Sequence, residues 1–292
     1  MTPDDPNAPL HFIQLADPQF GMFAALSRWS DEFRETMRAR GIVTLEHDAP
    51  IDGFEEETQR FETAIAEANR LRPAFVVVCG DMGNDLDDPT QLAEVRRIAG
   101  RLDDGIDLHW VAGNHDVCSD FFVPTAESLA TYRAAFGADR YAFQHGDASF
   151  LVLNSQLIDH PEGAPEEAEA QFEFLRTELA AAERRGSPIT VFQHQPIRAT
   201  DPLLDENMAI SRDRRGPLLE LLHAHGVAAV FTGHLHQNDL LRDGDLELVA
   251  TAPVGYPLNG AVSGYRVVRV SEGRIDHRFH PFGEGPDRLD PV

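Results

Sequence analysis

Apolar residues along this chain follow two periods. Short runs rich in Val, Ile, Leu and Phe predict strands at His11–Ala16, Ala74–Cys79, Asp107–Ala112, Tyr141–His145, Phe150–Asn154, Ile189–His194, Ala228–Thr232, Leu246–Thr251, Gly264–Val270 and Arg274–His280. Ser271-Glu272-Gly273 joins the last two as a predicted hairpin. Helical spacing appears between many of them. Phe54, Thr58, Phe61, Ile65, Ala68 and Leu71 share one face, which Pro73 closes. Leu92, Val95, Ile98 and Leu102 mark a second helix; Ala170, Phe174, Leu175 and Leu179 a third; Leu218, Leu219 and Leu222 a fourth. Strand and helix alternate early and strands dominate late, which predicts a mixed α/β sandwich. No Pro/Gly/Ser linker and no internal repeat divides the chain, so one domain is expected over residues 11–285, with tails at 1–10 and 286–292. Three stretches fit the pattern poorly: 19–53, 198–215 and 253–263. Long connections at the edge of a sheet are usual carriers of substrate choice.

Charge narrows the partners. The 292 residues include 25 basic and 49 acidic side chains, a net charge of −24, and every basic residue is arginine. Such a field opposes a phosphate backbone and an anionic bilayer, so no nucleic acid and no membrane is expected as a partner. Two readings of the acidity stand open, a solvated surface from an Arg-rich background or adaptation to high salt, and unfolding in low and multimolar salt separates them. The start, Met1 to Pro6, has neither a basic n-region nor an apolar h-region, and no apolar stretch approaches a membrane span. Cys79 and Cys118 are too few for a disulfide framework, so a cytoplasmic location is expected.

The candidate chemistry lies where strands end. The clusters are Asp17-Pro18-Gln19, Gly80-Asp81-Met82-Gly83-Asn84, Gly113-Asn114-His115-Asp116 and Gly233-His234-Leu235-His236, with a lone His194 after Ile189–Gln193. Each alone has an ordinary explanation: a strand-end Asp caps a helix or a turn, Asn-His after Gly is a turn, and His-x-His is a weak signal. Together they bring oxygen and imidazole donors to the edge of a sheet, which predicts a two-metal phosphoester hydrolase. Asp81 is the expected bridge between ions roughly 3.5–4 Å apart. The Asn114 amide oxygen can ligate, His115 can reach the leaving group, and His234 and His236 diverge in a turn to address two ions.

In order and approximate spacing, from residue 11 to about 252, these clusters resemble the motifs of the calcineurin-like metallophosphoesterase superfamily: D-x-H, G-D-x-x-D, G-N-H-D/E, a lone His, and G-H-x-H. The string Ala16-Asp17-Pro18-Gln19-Phe20-Gly21, with Leu153–Gln156 and Phe192–His194, is similar to a subgroup of calcineurin-like phosphoesterase-domain proteins that includes protein Ser/Thr phosphatases. The resemblance implies a four-layer α/β/β/α sandwich of two mixed sheets and two divalent ions, Mn, Fe, Mg or Zn. One ion would take Asp17, Gln19, Asp81 and His236, the other Asp81, Asn114, His194 and His234. The mechanism expected is in-line attack of a metal-bound hydroxide on phosphorus, with His115 protonating the leaving alkoxide and Asp116 or Asp81 orienting its ring. Arg198, Arg212 and Arg214 are candidate contacts for substrate phosphate.

The function expected is a phosphomonoesterase acting on a phosphoprotein or a small phosphorylated molecule. The alternatives are a phosphodiesterase for a small diester such as a cyclic nucleotide, and a non-catalytic binding module with a weakened first metal site. Two departures from the family pattern matter. Gln19 stands where His is usual, so an amide oxygen either replaces an imidazole nitrogen, weakening the first site and favouring Mn²⁺ or Mg²⁺ over Zn²⁺, or does not ligate. Asn84 stands where the second Asp of G-D-x-x-D is usual, which affects the residues that orient the ligands.

Overall fold

The computed structural model describes residues 9–85, 87–120, 123–271 and 273–289. In chain order the first half runs β1 (Leu10–Leu15), α1 (Met22–Ser27), α2 (Asp31–Arg38), α3 (Glu55–Leu71), β2 (Phe75–Cys79), α4 (Pro89–Ala99), β3 (Asp107–Val111), α5 (Asn114–Val117), β4 (Cys118–Asp120), β5 (Val123–Pro124), α6 (Ala126–Phe136), β6 (Tyr141–His145) and β7 (Ala148–Val152). The second half runs α7 (Ser155–Asp159), α8 (Pro165–Arg185), β8 (Ile189–Phe192), α9 (Pro202–Asn207), α10 (Arg212–Ala224), β9 (Ala229–Thr232), β10 (Asp239–Asp243), β11 (Leu246–Ala250), β12 (Gly264–Ser271) and β13 (Arg274–Pro281).

Two mixed sheets result, ordered β13-β12-β1-β2-β3 and β10-β11-β9-β8-β7-β6. β1, β2 and β3 are parallel, as are β7, β8, β9 and β11; antiparallel strands close both edges of the second sheet and one edge of the first.

The central strands are buried throughout, as in Phe75–Cys79, Ile189–Phe192 and Ala229–Thr232, so successive side chains face opposite covered sides of each sheet. Phe12 and Ala16 of the first strand region, Phe75, Val77 and Cys79 of β2, and Phe150, Phe192 and Phe231 from the second sheet pack between the sheets. Ile13, Leu15, Val76 and Val78 turn outward onto Phe61, Ile65, Ala68 and Leu71 of α3 and Val95 and Ile98 of α4. Leu151, Val191 and Val230 turn outward onto Leu175 and Leu179 of α8 and Leu218 and Leu222 of α10. The architecture is a four-layer α/β/β/α sandwich. Gln14, fully buried on the inner face of β1, donates to the Thr232 carbonyl (2.9 Å) and accepts from Thr251 Oγ1 (2.6 Å), tying the sheets together.

All ten expected strands form, with ends shifted by a residue or two, the segment expected at Phe150–Asn154 lying at Ala148–Val152. The hairpin turn includes Glu272, outside the described residues, and its strands pair antiparallel with Ser271 opposite Arg274. The helix expected to stop at Pro73 ends at Leu71, with Arg72 left-handed at φ 54°. Not foreseen were β4, β5 and β10, the short helices α1, α2, α5, α7 and α9, and α6. The stretch 19–53, expected as a long connection, forms α1 and α2, and α1 packs into a small core where Met22, Phe23 and Leu26 meet Tyr256 and Leu258.

His109 on β3 stacks on Phe143 of β6 (3.6 Å, 9°) and meets the edge of Phe75 (5.3 Å). Burial, reinforced by His145, lowers its pKa to about 4. The unfolded chain takes up this proton from about pH 6.5, so His109 contributes stability that is full above that value and is lost as pH falls toward 4. Partial exposure limits the effect to on the order of 1–2 kcal/mol. His109→Phe is therefore expected to flatten the fall in denaturant midpoint between pH 7 and pH 5; a variant whose midpoint falls in parallel with the natural protein would contradict this.

Candidate metal centre

Four of the expected ligands, Asp17, Asp81, His194 and His234, each stand two residues beyond the end of a parallel strand, so strand pairing alone brings them to one edge. Their backbones turn sharply there. Among the described residues, positive φ outside glycine occurs at Asp17 (47°), Gln19 (36°), Asp81 (54°), His234 (68°), His236 (52°), Arg72 and Asn259. Five of these seven are expected ligands, and such geometry, costing roughly 1–3 kcal/mol each, persists only where the surroundings over-determine it.

The motif glycines have a steric cause. A Cβ on Gly80 would land on the His194 ring, on Gly113 it would land on the Asp81 carboxylate, and on Gly233 on the Asp17 carboxylate.

The side chains form two overlapping groups. Ligand atoms of Asp81, His194 and His234 lie within 4.8 Å of one another, as do those of Asp17, Asp81 and His236, so Asp81 belongs to both. His194 Nε2 is 3.2 Å from Asp81 Oδ2, 3.1 Å from His234 Nδ1 and 3.1 Å from Asn114 Oδ1. His236 Nε2 is 3.3 Å from Asp17 Oδ1. Separations of roughly 3 Å are the edges of a coordination shell whose bonds are about 2.1 Å. Main-chain carbonyls set which nitrogen faces inward: His194 Nδ1 donates to Cys79 (2.8 Å) and His236 Nδ1 to Tyr256 (2.6 Å).

Gln19 joins this group through its main chain, its N–H donating to the Asp81 carbonyl (2.8 Å). Its Nε2 donates to Asn84 Oδ1 (3.3 Å), and its buried Oε1 accepts no hydrogen bond. A buried acceptor without a donor fits a cation, and carboxylate, imidazole and amide donors suit hard to borderline divalent ions.

The buried charges shape one another. Burial would raise the Asp81 carboxyl, but the imidazoles of His194, His115 and His234 hold it well below the usual range. Burial would lower His194, yet Asp81 and Asp17 raise it to about 10. His234 is held well below its usual value by burial and by the neighbouring His194.

Asp116 sits apart from the ligand donors. Its carboxylate accepts the main-chain N–H groups of Asp81 (2.7 Å), Met82 (2.9 Å) and Gly113 (2.8 Å), clamping the two loops that carry Asp81 and Asn114. Burial and the Asp81 charge raise it to about 7. It does not meet the His115 ring, and neither does the Asp81 carboxylate, whose Oδ1 accepts the main-chain N–H of His115 (2.9 Å). The ring Nδ1 instead faces the Asn84 carbonyl (2.8 Å).

The three candidate phosphate-binding arginines pair with acids rather than with this cluster: Arg198 with Asp243 (4.0 Å), Arg212 with Asp205 (3.5 Å) and Arg214 with Asp213 (3.7 Å). Sequence reasoning missed the orienting carbonyls of Cys79, Asn84 and Tyr256, since a carbonyl has no side-chain signature. It also missed a cavity of about 40 Å³ beside His115, lined in part by Met82, Leu92, Tyr132 and Phe136.

Comparison with known proteins places this geometry. A model of the calcineurin-like phosphoesterase family matches residues 10–238. The serine/threonine-protein phosphatase CPPED1 of Homo sapiens is 32% identical over 285 residues, 94% of this chain and 85% of the relative. That of Danio rerio is 32% identical over 290 residues, 97% of this chain and 88% of the relative. Among solved structures, a dimetal phosphatase from Danio rerio superposes with a TM-score of 0.60 at 18% identity, covering 96% of this chain and all 100% of its own. The purple acid phosphatase PPD1 of yellow lupin (Lupinus luteus) gives 0.67 at 10% identity, covering 95% of this chain and 52% of its own. At these identities the structural likeness speaks for the fold. The family match, the sequence relatives and the overlapping donor groups make this chain a member of the calcineurin-like phosphoesterase family, a phosphoester hydrolase with a dinuclear divalent metal site.

Proposed function

We propose that the chain is a phosphomonoesterase that dephosphorylates serine or threonine in proteins, using two ions drawn from Mn, Fe, Mg and Zn. The observation that carries this reading is the Asp81 carboxylate, shared by two donor groups while it accepts the His115 main-chain N–H. Relatives named serine/threonine-protein phosphatases, aligned over 94% and 97% of this chain, support the substrate class.

Asp17, Gln19, Asp81 and His236 would hold one ion, and Asp81, Asn114, His194 and His234 the other. When bound, the pair supplies activation of water and neutralisation of charge on the phosphoryl oxygens. The chain's own contribution is to position and to move a proton. His115 Nδ1–H donates to the Asn84 carbonyl, which leaves Nε2 to deliver a proton to the departing alkoxide oxygen. Asp116 acts as a positioning residue by fixing the loops on which Asp81, Asn114 and His115 stand.

The test is hydrolysis of p-nitrophenyl phosphate, bis-p-nitrophenyl phosphate and a phosphoserine peptide by metal-stripped protein re-supplied separately with Mn²⁺, Mg²⁺, Fe²⁺, Zn²⁺ and Ni²⁺. Restored turnover favouring monoester over diester by ~10-fold or more, about 1.4 kcal/mol in the barrier, is expected, with Mn²⁺ foremost. Preference for the diester would overturn the monoesterase reading. Absence of turnover on every substrate with two ions bound would overturn the enzymatic one.

A further inference from the structure

The two positions that depart from the family pattern touch each other. Gln19 follows β1 and Asn84 follows β2, yet Gln19 Nε2 donates to Asn84 Oδ1 (3.3 Å). Their loops are laced together by main-chain bonds: Gln19 N to the Asp81 carbonyl (2.8 Å), Phe20 N to that of Met82 (3.1 Å), and Asn84 N to that of Phe20 (2.9 Å). On the far side Gln91 Oε1 accepts from the main-chain N–H groups of Asn84 and Asp85 (2.9 and 3.0 Å), which fixes the backbone that carries the Asn84 side chain.

A side-chain amide has one oxygen and one nitrogen end. With its nitrogen spent on Asn84, Gln19 must turn its oxygen elsewhere, and that oxygen is buried without a hydrogen-bond partner. Were the amide free to rotate, its NH₂ end could face the ion and repel it. Asn84 opposes that rotation by presenting Oδ1, which accepts only from the NH₂ end of Gln19. The same residue also receives His115 Nδ1 on its main-chain carbonyl (2.8 Å), so one residue positions both an amide ligand and the proton donor.

We propose that Asn84 is a positioning residue that locks the orientation of the Gln19 amide, and that the pair acts as one unit setting the affinity and ion preference of the metal site containing Asp17 and His236. The site prefers hard ions because an oxygen, not an imidazole nitrogen, is what this unit presents. The inference rests on the two-ion reading of the centre but not on which substrate is cleaved.

The experiment is a double-mutant cycle read by metal binding. Mn²⁺ and Zn²⁺ are titrated calorimetrically into metal-stripped natural protein, Gln19→Ala, Asn84→Ala, the double variant, and Asn84→Asp, with spin coupling between paired Mn²⁺ ions followed by electron paramagnetic resonance. Each alanine variant is expected to lose ~10- to 100-fold in Mn²⁺ affinity at one site only, with the coupled signal weakened and the other site unchanged. The double variant should lose no more than either single one, because each change breaks the same unit. Asn84→Asp retains an acceptor for Gln19 Nε2 and should restore Mn²⁺ binding to within a few-fold. Normal binding at the second site certifies that each variant is folded.

Multiplicative losses in the double variant would overturn the proposal, as would an Asn84→Ala protein with undiminished Mn²⁺ affinity or an Asn84→Asp protein as weak as Asn84→Ala. If the natural protein binds two coupled ions and the cycle closes as expected but no phosphoester is hydrolysed, the function proposed above fails while the positioning role stands.

Discussion

Asp81→Asn is expected to lose both metal ions together and to lower turnover of a phosphomonoester by ~10⁴-fold or more, about 5.5 kcal/mol in the barrier. The reason is connectivity. Asp81 is the one donor common to the two groups, so its negative charge serves both ions at once. The change is nearly isosteric, and an amide oxygen can still accept the His115 main-chain N–H that the carboxylate accepts at 2.9 Å, which favours a folded variant. Without the carboxylate, His194 also loses the first of the two charges that raise it to about 10. Metal analysis after dialysis, beside the turnover number, checks this. Retention of two ions at the natural rate would remove Asp81 from the bridging role, and loss of a single ion would make it an ordinary ligand. The contrast with Gln19→Ala, which should weaken one site only, makes the pair of variants diagnostic.

The second large effect is on the proton. His115→Ala should cut turnover of an alkyl phosphate by ~10²- to 10⁴-fold while metal content stays unchanged. The ring bonds to the Asn84 carbonyl rather than to any of the ligand donors, so its removal takes away a proton carrier without opening the metal centre. On p-nitrophenyl phosphate the loss should be much smaller, because that leaving group departs without protonation. An alanine variant with the natural rate on the alkyl ester, or one stripped of metal, would refute this role.

How much of this is readable without coordinates varies by element. The buried parallel strands were, since runs such as Phe75–Cys79 are apolar throughout and end in a polar cluster. Helix α3 was, because its apolar stripe faces one layer of the core. Helices α1 and α2 were not. The apolar residues of α1 are buried by Tyr256 and Leu258, more than two hundred positions away, and α2 buries none of its own residues. It is held locally by its Ser30 cap, which accepts from Phe33 N (3.2 Å). Strand β10, an edge strand that pairs only with β11, is too polar to announce itself.

The site divides along the same line. Residue chemistry alone indicated the inventory of donors, their order, and their place at strand ends, because only a few side chains bind hard cations and glycine beside them marks close packing. It could not say that Asp116 would spend its carboxylate on three main-chain N–H groups rather than on the His115 ring, nor that the loop arginines would pair with nearby acids.

What the sequence by itself determined is therefore the order of the ten expected strands and of helices α3, α4, α8 and α10, and the list of reactive groups, both set by local composition and period. The tertiary structure alone decided which imidazole nitrogen faces inward, that Asp116 clamps two loops, and that Gln19 meets Asn84. Those depend on distances of about 3 Å between residues far apart in the chain, as where His234 N–H reaches Asp17 across 217 positions, and on carbonyl groups that every residue carries alike.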